Sequence, residues 1–324
     1  MTFKKLRNQE NRKAGFEFEM SGIDINESAE LIKELFSGEI QKKHSLETIV
    51  SCPNYGDFKI ELDAQMVKEL AKKLENKENL PDNELLDFNK INSFLSKAIG
   101  DISKQVVPFE IVTPPLKFTD FEKLDKLVEN LRKNDAKGTK ANILNAFGLH
   151  INPQIPSEEV SDIKDILRSF ILLYPYLLEK MQIDISRRIT NFIDPFPKEY
   201  GILIANSDYQ PSIHQFIDDY LKHNPTRDRA LDLLPLFAYL KPDCLNNLKS
   251  SEKKLVKSRP TFHFRLPNCE IDNKDWSVSS SWNYWILIEE IAFDKEKLNF
   301  LSKQYLENLN NQKKWIKILE EELL

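Results

Sequence analysis

Two glutamates in one alternating segment are the first residues whose spacing could support chemistry. In the run Gly15-Phe16-Glu17-Phe18-Glu19-Met20, Glu17 and Glu19 fall on one face of a strand and the apolar side chains fall on the other. The two carboxylates stand about 7 Å apart, and their repulsion is roughly 2 kcal/mol at an effective dielectric of about 20. A divalent ion such as Mg²⁺ or Mn²⁺ would offset this repulsion, because both ions prefer carboxylate oxygen.

Four further segments alternate in the same way, at residues 57–63, 106–112, 147–152 and 260–266. If the five strands pair with their apolar faces together, one polar face collects six candidate metal ligands, namely Glu17, Glu19, Glu61, Glu110, His150 and His263. Arg265 adds a planar donor fork suited to a phosphate oxygen. Gly148 leaves room for a ligand beside His150. Together these residues predict a site for a hard metal ion and phosphate.

A purely structural interpretation also fits each segment taken singly. An antiparallel sheet commonly has one solvated face, and a lone histidine is more often a core or surface residue than a ligand. Solvated faces are usually rich in Lys and Thr, whereas these stripes carry acids and histidines beside bulky aromatic residues. The agreement of five segments therefore favours the site.

Helices are expected to hold these strands in place. Helical periodicity occurs at residues 27–36, 64–74, 83–98, 120–132, 158–181, 213–221, 228–239 and 284–292, and in two closing segments around residues 300 and 316. Strands concentrate in the first half and helices in the second, which predicts an α+β fold with a mainly antiparallel sheet and helices on one face. With only 8 glycines and no flexible linker, residues 1–324 are expected to form a single domain. Residues 65–104 are interpreted as a helical insertion, and residues 293–324 as C-terminal helices.

Composition argues against several functional classes. The chain has 324 residues and a formal charge of −5, without the basic stripe that nucleic-acid binding usually needs. Its most apolar stretch, at residues 170–178, is about half as long as a bilayer crossing requires. The 3 cysteines show no close pairing that would indicate disulfides or a zinc knuckle. We therefore expect a cytoplasmic protein with neither a nucleic-acid nor a membrane partner.

Several motifs resemble a known family. Gly15-Phe16-Glu17-Phe18-Glu19, Phe109-Glu110-Ile111-Val112-Thr113-Pro114-Pro115-Leu116 and Phe147-Gly148-Leu149-His150-Ile151-Asn152-Pro153 resemble the successive signatures of an amidoligase family related to glutamine synthetases and glutamate-cysteine ligases. The later run Arg259-Pro260-Thr261-Phe262-His263-Phe264-Arg265-Leu266-Pro267 resembles the glutamine-synthetase strand that reads Ile-Glu-x-Arg-x-Pro. Each motif alone is weak, but their order and spacing together are fairly specific.

The resemblance implies an ATP-dependent ligase with a catalytic trough on a curved, glutamine-synthetase-like sheet, where divalent ions lie between the sheet and the nucleotide phosphates. The implied metal ligands are Glu17, Glu19, Glu110 and His150, with Glu61 as a looser match. Arg265 matches a phosphate-stabilising arginine, and Gly148 and Arg259 are expected to contact the cofactor. His263 departs from the pattern, because the synthetases have a glutamate there, and it removes one negative charge while keeping a metal ligand.

The implied reaction is amide formation through an acyl phosphate, from a carboxylate and an amine that are small molecules or peptides. Arg187 and Arg188 are predicted to clamp a carboxylate or phosphate. Two alternatives stay open: a phosphotransferase of the same fold, and a degenerate domain that only binds nucleotide or a protein partner. Oligomer formation is equally open.

Overall fold

The computed structural model describes residues 4, 12–44, 47–62, 108–141, 146–189, 193–249 and 253–323. Its centre is a nine-stranded open sheet in which the spatial order is β2-β3-β4-β5-β1-β7-β9-β8, with β6 paired to β1 off this path. All strand pairs are antiparallel. The strands are β1 (Lys13–Met20), β2 (Glu39–His44), β3 (Glu47–Cys52), β4 (Gly56–Leu62), β5 (Phe109–Val112), β6 (Leu116–Lys117), β7 (Leu149–Pro153), β8 (Leu231–Asp232) and β9 (His263–Phe264).

The helices are concentrated in the second half of the chain. They are α1 (Ile25–Phe36), α2 (Glu122–Lys133), α3 (Val160–Lys180), α4 (Ile185–Ile189), α5 (Lys198–Ala205), α6 (Ile213–His223), α7 (Leu234–Leu240), α8 (Val278–Phe293), α9 (Lys295–Glu307) and α10 (Gln312–Leu323). Asp24 caps α1 through a capping box with Glu27, which satisfies two backbone donors at the helix start. The predicted α+β class is confirmed.

One face of the sheet is apolar and carries the helices. Phe16 of β1 contacts Phe121 and Trp282, at ring-centroid distances of 5.1 and 6.1 Å. Phe264 of β9 contacts Trp285 of α8 at 5.7 Å. All five rings are buried, and burial of such a side chain stabilises the fold by about 1.5–3 kcal/mol. The helices therefore anchor the central strands from this side and leave the polar side chains on the opposite face.

Parts of the fold differ from the sequence prediction. The β2–β3 hairpin was not predicted, because β2 is rich in charged side chains and β3 has consecutive apolar residues, Ile49 and Val50. Residues 228–239 are not one helix: Asp232 pairs with β9, and α7 begins only at Leu234. The segment at 260–266 contributes a strand of only two residues. The predicted helices at 64–74 and 83–98, and with them the insertion at 65–104, lie outside the described residues.

The C-terminal helices appear as the periodicity indicates, as α9 and α10. Across the described ranges, no helix combines the length and the apolar character that a membrane crossing requires. The single-domain organisation stays a prediction.

Candidate metal-binding site

The strand register brings the predicted polar residues onto one face. Glu17 of β1 pairs with His150 of β7, while Glu19 pairs with Glu110 of β5. Glu110 in turn pairs with Glu61 of β4. Laterally paired residues in a sheet point to the same side, so these five side chains share the face opposite the helices. We call this face the trough.

Two of these side chains, together with His263 of β9, could hold one metal ion. One ligand atom from each of Glu17, His150 and His263 lies within 4.8 Å of the others. His150 Nδ1 lies 3.2 Å from Glu17 Oε2, and the rings of His150 and His263 are 5.1 Å apart. A carboxylate oxygen and two imidazole nitrogens form a chemically reasonable donor set for a divalent ion. The residues therefore fit a metal ion, and we call them the metal cluster.

Asn152 and Arg259 surround the metal cluster. Asn152 Nδ2 donates to Glu17 Oε1 at 2.9 Å, and its Oδ1 lies 2.6 Å from His263 Nδ1. Arg259 Nη2 donates to Asn152 Oδ1 at 2.7 Å and lies 3.6 Å from Glu17 Oε1. Asn152 thus orients two candidate ligands at once. Alternation in the segment 147–152 places Asn152 on the same polar stripe as His150. This shared stripe is the sequence signal for its contact with the metal cluster.

Protonation in the metal cluster suits ion binding. Burial alone would raise the pKa of Glu17, but His263, His150 and Arg259 outweigh burial and hold that pKa well below its usual range. Burial lowers the pKa of His263 well below its usual range, against the opposing attraction of Glu17. An ionised carboxylate and a neutral imidazole are the forms that coordinate metal.

Glu19 lies between His150 and Arg187, and its Oε1 is 3.4 Å from His150 Nε2. Gly148 donates its backbone N–H to Glu19 Oε2 at 2.5 Å, and Arg187 Nη1 lies 4.0 Å from the same oxygen. A Cβ atom built on Gly148 would fall 2.0 Å from Arg187 Nη1. The space beside Gly148 is therefore filled by the Arg187 guanidinium, whereas the sequence predicted open room for a ligand. Burial lowers the pKa of Arg187 to about 10.

An acidic row crosses the sheet next to the metal cluster. It consists of Glu47, Glu61, Glu110 and Glu19, on β3, β4, β5 and β1 in that order. Lys59 Nζ lies 2.6 Å from Glu61 and 3.7 Å from Glu47. Burial opposes the charge of Lys59, but Glu61, Glu47 and Glu110 outweigh burial and raise its pKa. Sequence reasoning missed Glu47, because it did not predict β3.

Arg265 directly follows β9, and the register of the Ile151–Phe264 pair places it opposite His150 of β7. Its Nη1 donates to the Arg227 carbonyl at 2.7 Å, and its own carbonyl accepts from Arg187 Nη2 at 2.5 Å. Arg265 and Arg187 are therefore tied to each other at the β9 side of the trough. Both side chains are buried, with residue exposures of 7% and 2%.

A buried aspartate beside the metal cluster was not found from the sequence. Asp232 of β8 pairs with His263, is fully buried, and lies 3.9 Å from Arg227 Nε. Burial raises its pKa, against the attraction of Arg227, Arg265 and Arg259. Asp232 lies between Leu231 and Leu233, which is an alternating pattern typical of a strand. The helical period at residues 228–239 predicts a helix there instead.

Arg188 lies apart from the trough. It lines a cavity of about 460 Å³ together with residues of α3, α5, α9 and α10, including Tyr174 and Trp315. Among the residues that the structure describes, no candidate metal ligand lines this cavity. Consecutive residues on a helix point about 100° apart, so Arg187 and Arg188 face different sites. They do not form one clamp.

Most of the chain matches one known protein family. Residues 10–287 match the model of a family described as "Putative amidoligase enzyme". The chain belongs to this amidoligase family. The match includes all nine strands, and therefore the whole described trough, whereas α9 and α10 lie beyond it. Comparison with curated proteins finds no match for this chain.

Proposed function

We propose that this amidoligase uses ATP and a divalent ion to join a carboxylate to an amine through an acyl phosphate. The observation that carries the proposal is the convergence of Glu17, His150 and His263 within 4.8 Å on a sheet face that also holds Arg265 and Arg187. Ligands for a cation and donors for phosphate thus lie side by side. This is the combination that nucleotide-dependent acyl activation needs.

Each group has a role in the proposed reaction. A divalent ion bound by the metal cluster would neutralise charge on phosphate oxygens as a Lewis acid. Arg265 and Arg187 are buried and would supply cationic donors to a phosphate, where low dielectric strengthens their attraction for it. Arg259, which is partly exposed above Glu17, is placed to contact the nucleotide. Glu19, Glu61 and Glu110 extend the acidic surface on which further cations could bind.

The proposed chemistry has two displacements. A carboxylate oxygen of the first substrate attacks the γ-phosphorus of ATP, the bond from that phosphorus to the bridging oxygen breaks, and ADP leaves. The amine nitrogen of the second substrate then attacks the acyl carbon, the carbon–oxygen bond to phosphate breaks, and the nitrogen loses a proton. The products are an amide, ADP and phosphate. We propose small-molecule or peptide substrates and a cytoplasmic setting, without a nucleic-acid or membrane partner.

Turnover with a substrate panel tests this function. The purified chain is incubated with ATP, Mg²⁺ or Mn²⁺, and mixtures of carboxylates and amines, while ADP release and product mass are measured together. We expect ADP release that needs both substrates and yields a product lighter by one water than their sum. A stable phosphorylated metabolite would instead indicate a phosphotransferase. ATP binding without turnover in any mixture would indicate a domain that only binds.

A matched pair of variants links the turnover to the metal cluster. Glu17→Gln removes the carboxylate of the metal cluster, so a divalent ion should bind weakly there. The phosphate charge in the transition state then lacks this counter-ion, and kcat/KM should fall by at least about 100-fold. Glu34→Gln makes the same change on an exposed position of α1 and should leave kcat/KM unchanged. Equal activities in the two variants would contradict the assignment of Glu17.

A further inference from the structure

We propose that Glu17, His150 and His263 form a site for a first-row transition-metal ion and that this site discriminates against Mg²⁺. The inference deepens the proposed function and rests on the same metal cluster. It concerns which ion the chain's own ligands select.

The donor atoms of the metal cluster favour nitrogen-binding ions. Two of the three protein ligands in the metal cluster are imidazole nitrogens, and only Glu17 offers oxygen. Mg²⁺ is a hard ion that binds carboxylates and water, whereas imidazole suits the more polarisable transition-metal ions. Glu19 Oε1 lies 3.4 Å from His150 Nε2, but the other Glu19 oxygen accepts from the Gly148 N–H and lies 4.0 Å from Arg187 Nη1. The metal cluster itself therefore offers Mg²⁺ only one carboxylate.

Local charge strengthens the preference. The single carboxylate of the metal cluster is shared with Arg259, whose Nη2 lies 3.6 Å from Glu17 Oε1. Purely electrostatic attraction for a hard cation is weakened by this neighbouring positive charge. Arg259 Nη2 also lies 2.7 Å from His263 Nδ1, so His263 would bind an ion through Nε2. Binding through imidazole lone pairs depends less on net charge than binding through a carboxylate, so a transition-metal ion loses less than Mg²⁺ from the presence of Arg259.

The two histidines are held in position before any ion arrives. His150 and His263 have residue exposures of 6% and 3%, and their rings meet edge to face at 73°. Asn152 contacts both Glu17 and His263, which restricts the orientation of two ligands through one amide. Second contacts of this kind commonly tune metal affinity by about 10–100-fold. Both imidazoles are therefore already in place, so an ion that accepts nitrogen ligands can bind without reorganising them. Mg²⁺ gains little from this arrangement, because it binds imidazole weakly.

Direct binding measurements on metal-free protein test the selectivity. The full chain is stripped with a chelator and titrated separately with Mn²⁺, Co²⁺ and Mg²⁺ in a calorimeter, without ATP. We expect Mn²⁺ and Co²⁺ to bind at least about 10-fold tighter than Mg²⁺, with Co²⁺ tighter than Mn²⁺. The visible absorption of bound Co²⁺ should shift when the histidines coordinate, and this readout needs no catalysis.

A variant pair tests whether His263 causes the selectivity. His263→Glu exchanges one nitrogen ligand for oxygen and should bring the Mg²⁺ affinity closer to that of Co²⁺ by about 10-fold or more. His214→Glu makes the same change at an exposed histidine of α6 and should leave the ratio of affinities unaltered. Thermal melts of both variants establish that they are folded, and the unaltered chain tests the selectivity even if His263→Glu does not fold.

The outcomes separate this inference from the proposed function. If the unaltered chain binds Mg²⁺ as tightly as Mn²⁺ and Co²⁺, the inference is overturned while the ligase proposal stands. If no divalent ion binds to the stripped protein, the inference and the metal-dependent part of the proposed function both fall. If the selectivity is found but turnover is absent for every substrate pair, only the proposed function is in question.

Discussion

The guanidinium of Arg187 lies in the space that a side chain at position 148 would occupy. A Cβ atom built on Gly148 falls 2.0 Å from Arg187 Nη1 and 2.8 Å from its Cζ. The absence of a side chain at Gly148 is what allows a buried arginine of α4 to approach Glu19 on β1, at 4.0 Å. The lack of a side chain at Gly148, just before β7, thereby allows the Arg187 cation to lie beside the Glu19 carboxylate of β1.

Replacement of Gly148 should act through Arg187. Gly148→Ala forces the flexible end of Arg187 to move, because the overlap is with its guanidinium. We expect a loss of about 10–100-fold in kcat/KM in the proposed reaction and a change of less than about 1 kcal/mol in the free energy of unfolding. Steady-state kinetics and denaturant unfolding measure the two effects separately.

Gly15→Ala is the matched control for that prediction. A Cβ atom at Gly15 of β1 would meet its nearest neighbours at 3.8 Å, which is ordinary contact distance. Its activity should therefore stay within about 3-fold of the unaltered chain. If Gly148→Ala and Gly15→Ala behave alike, Arg187 does not depend on the space at Gly148.

Removal of Arg259 should separate nucleotide binding from metal binding. Arg259→Met takes away a cation 3.6 Å from Glu17, so the affinity of the metal cluster for a divalent ion should rise or stay equal. If Arg259 contacts the nucleotide, KM for ATP should increase by about 10-fold or more, as expected for loss of a charged hydrogen bond.

The measurements are metal titration without nucleotide and the dependence of rate on ATP concentration. Lys257→Met removes a positive charge from an exposed position of the same segment and should alter neither quantity. A weaker metal affinity in Arg259→Met would show that Arg259 supports the metal cluster instead of competing with it.

The buried ion pair between Arg12 and Glu289 should dominate the stability of the junction between β1 and α8. Arg12 Nη1 and Nη2 donate to the two Glu289 oxygens at 2.8 and 2.7 Å, and both side chains are at most 6% exposed. Arg12→Met leaves the buried Glu289 carboxylate without its cationic partner, and only the Trp285 Nε1–H, at 2.8 Å, still donates to it. The free energy of unfolding should fall by about 3–5 kcal/mol.

Denaturant unfolding of three variants checks this prediction. Arg12→Met/Glu289→Met removes both charges and should recover much of the loss, since an apolar pair of similar volume is often neutral. Lys33→Met breaks an exposed pair with Glu30 and should change stability by less than about 1 kcal/mol. Equal losses in the single and double variants would mean that packing, not charge, is responsible.

The cysteine thiols should react slowly at mildly alkaline pH. Burial raises the pKa of Cys52 and of Cys244 to about 11, and burial also raises the pKa of Cys269. The thiolate is the reactive form, so at pH 8 a thiol of pKa 11 should react about 100-fold more slowly than an ordinary thiol.

Modification by a chromogenic disulfide reagent measures this effect. The rate for the native chain should still be rising between pH 8 and pH 10, because the thiolate fraction increases up to the raised pKa. In denaturant all 3 thiols should react at the rate of free cysteine. Rapid reaction of the native chain at pH 8 would show that at least one thiol is neither buried nor shifted.

Local patterns were sufficient to predict the face of the central strands. In β1 and β7, strict alternation separated Glu17 and His150 from the core residues, because side chains on a strand alternate with a period of 2 that needs no tertiary information. The helical spacing of Trp282 and Trp285 favours core positions, and both side chains are fully buried. The family resemblance, carried by short motifs, was likewise confirmed across residues 10–287.

Other features depended on contacts between distant residues. Asp232 was assigned to a helix because its neighbours are apolar, but pairing of β8 with the two-residue strand β9 draws it next to His263. Glu47 joined the acidic row only because β3 pairs with β4, and β3 has two consecutive apolar residues, Ile49 and Val50, in place of a strict alternation.

Residue order along the chain was enough to assign the polar side of each central strand, the α+β class, and the residue types that could bind a cation. Packing in three dimensions was needed to show that Glu17, His150 and His263 converge, that Arg187 fills the space at Gly148, and that Arg188 faces a different cavity. The difference arises because alternation along a strand is a local property of the backbone. Strand register and helix docking instead depend on which distant apolar faces pack together.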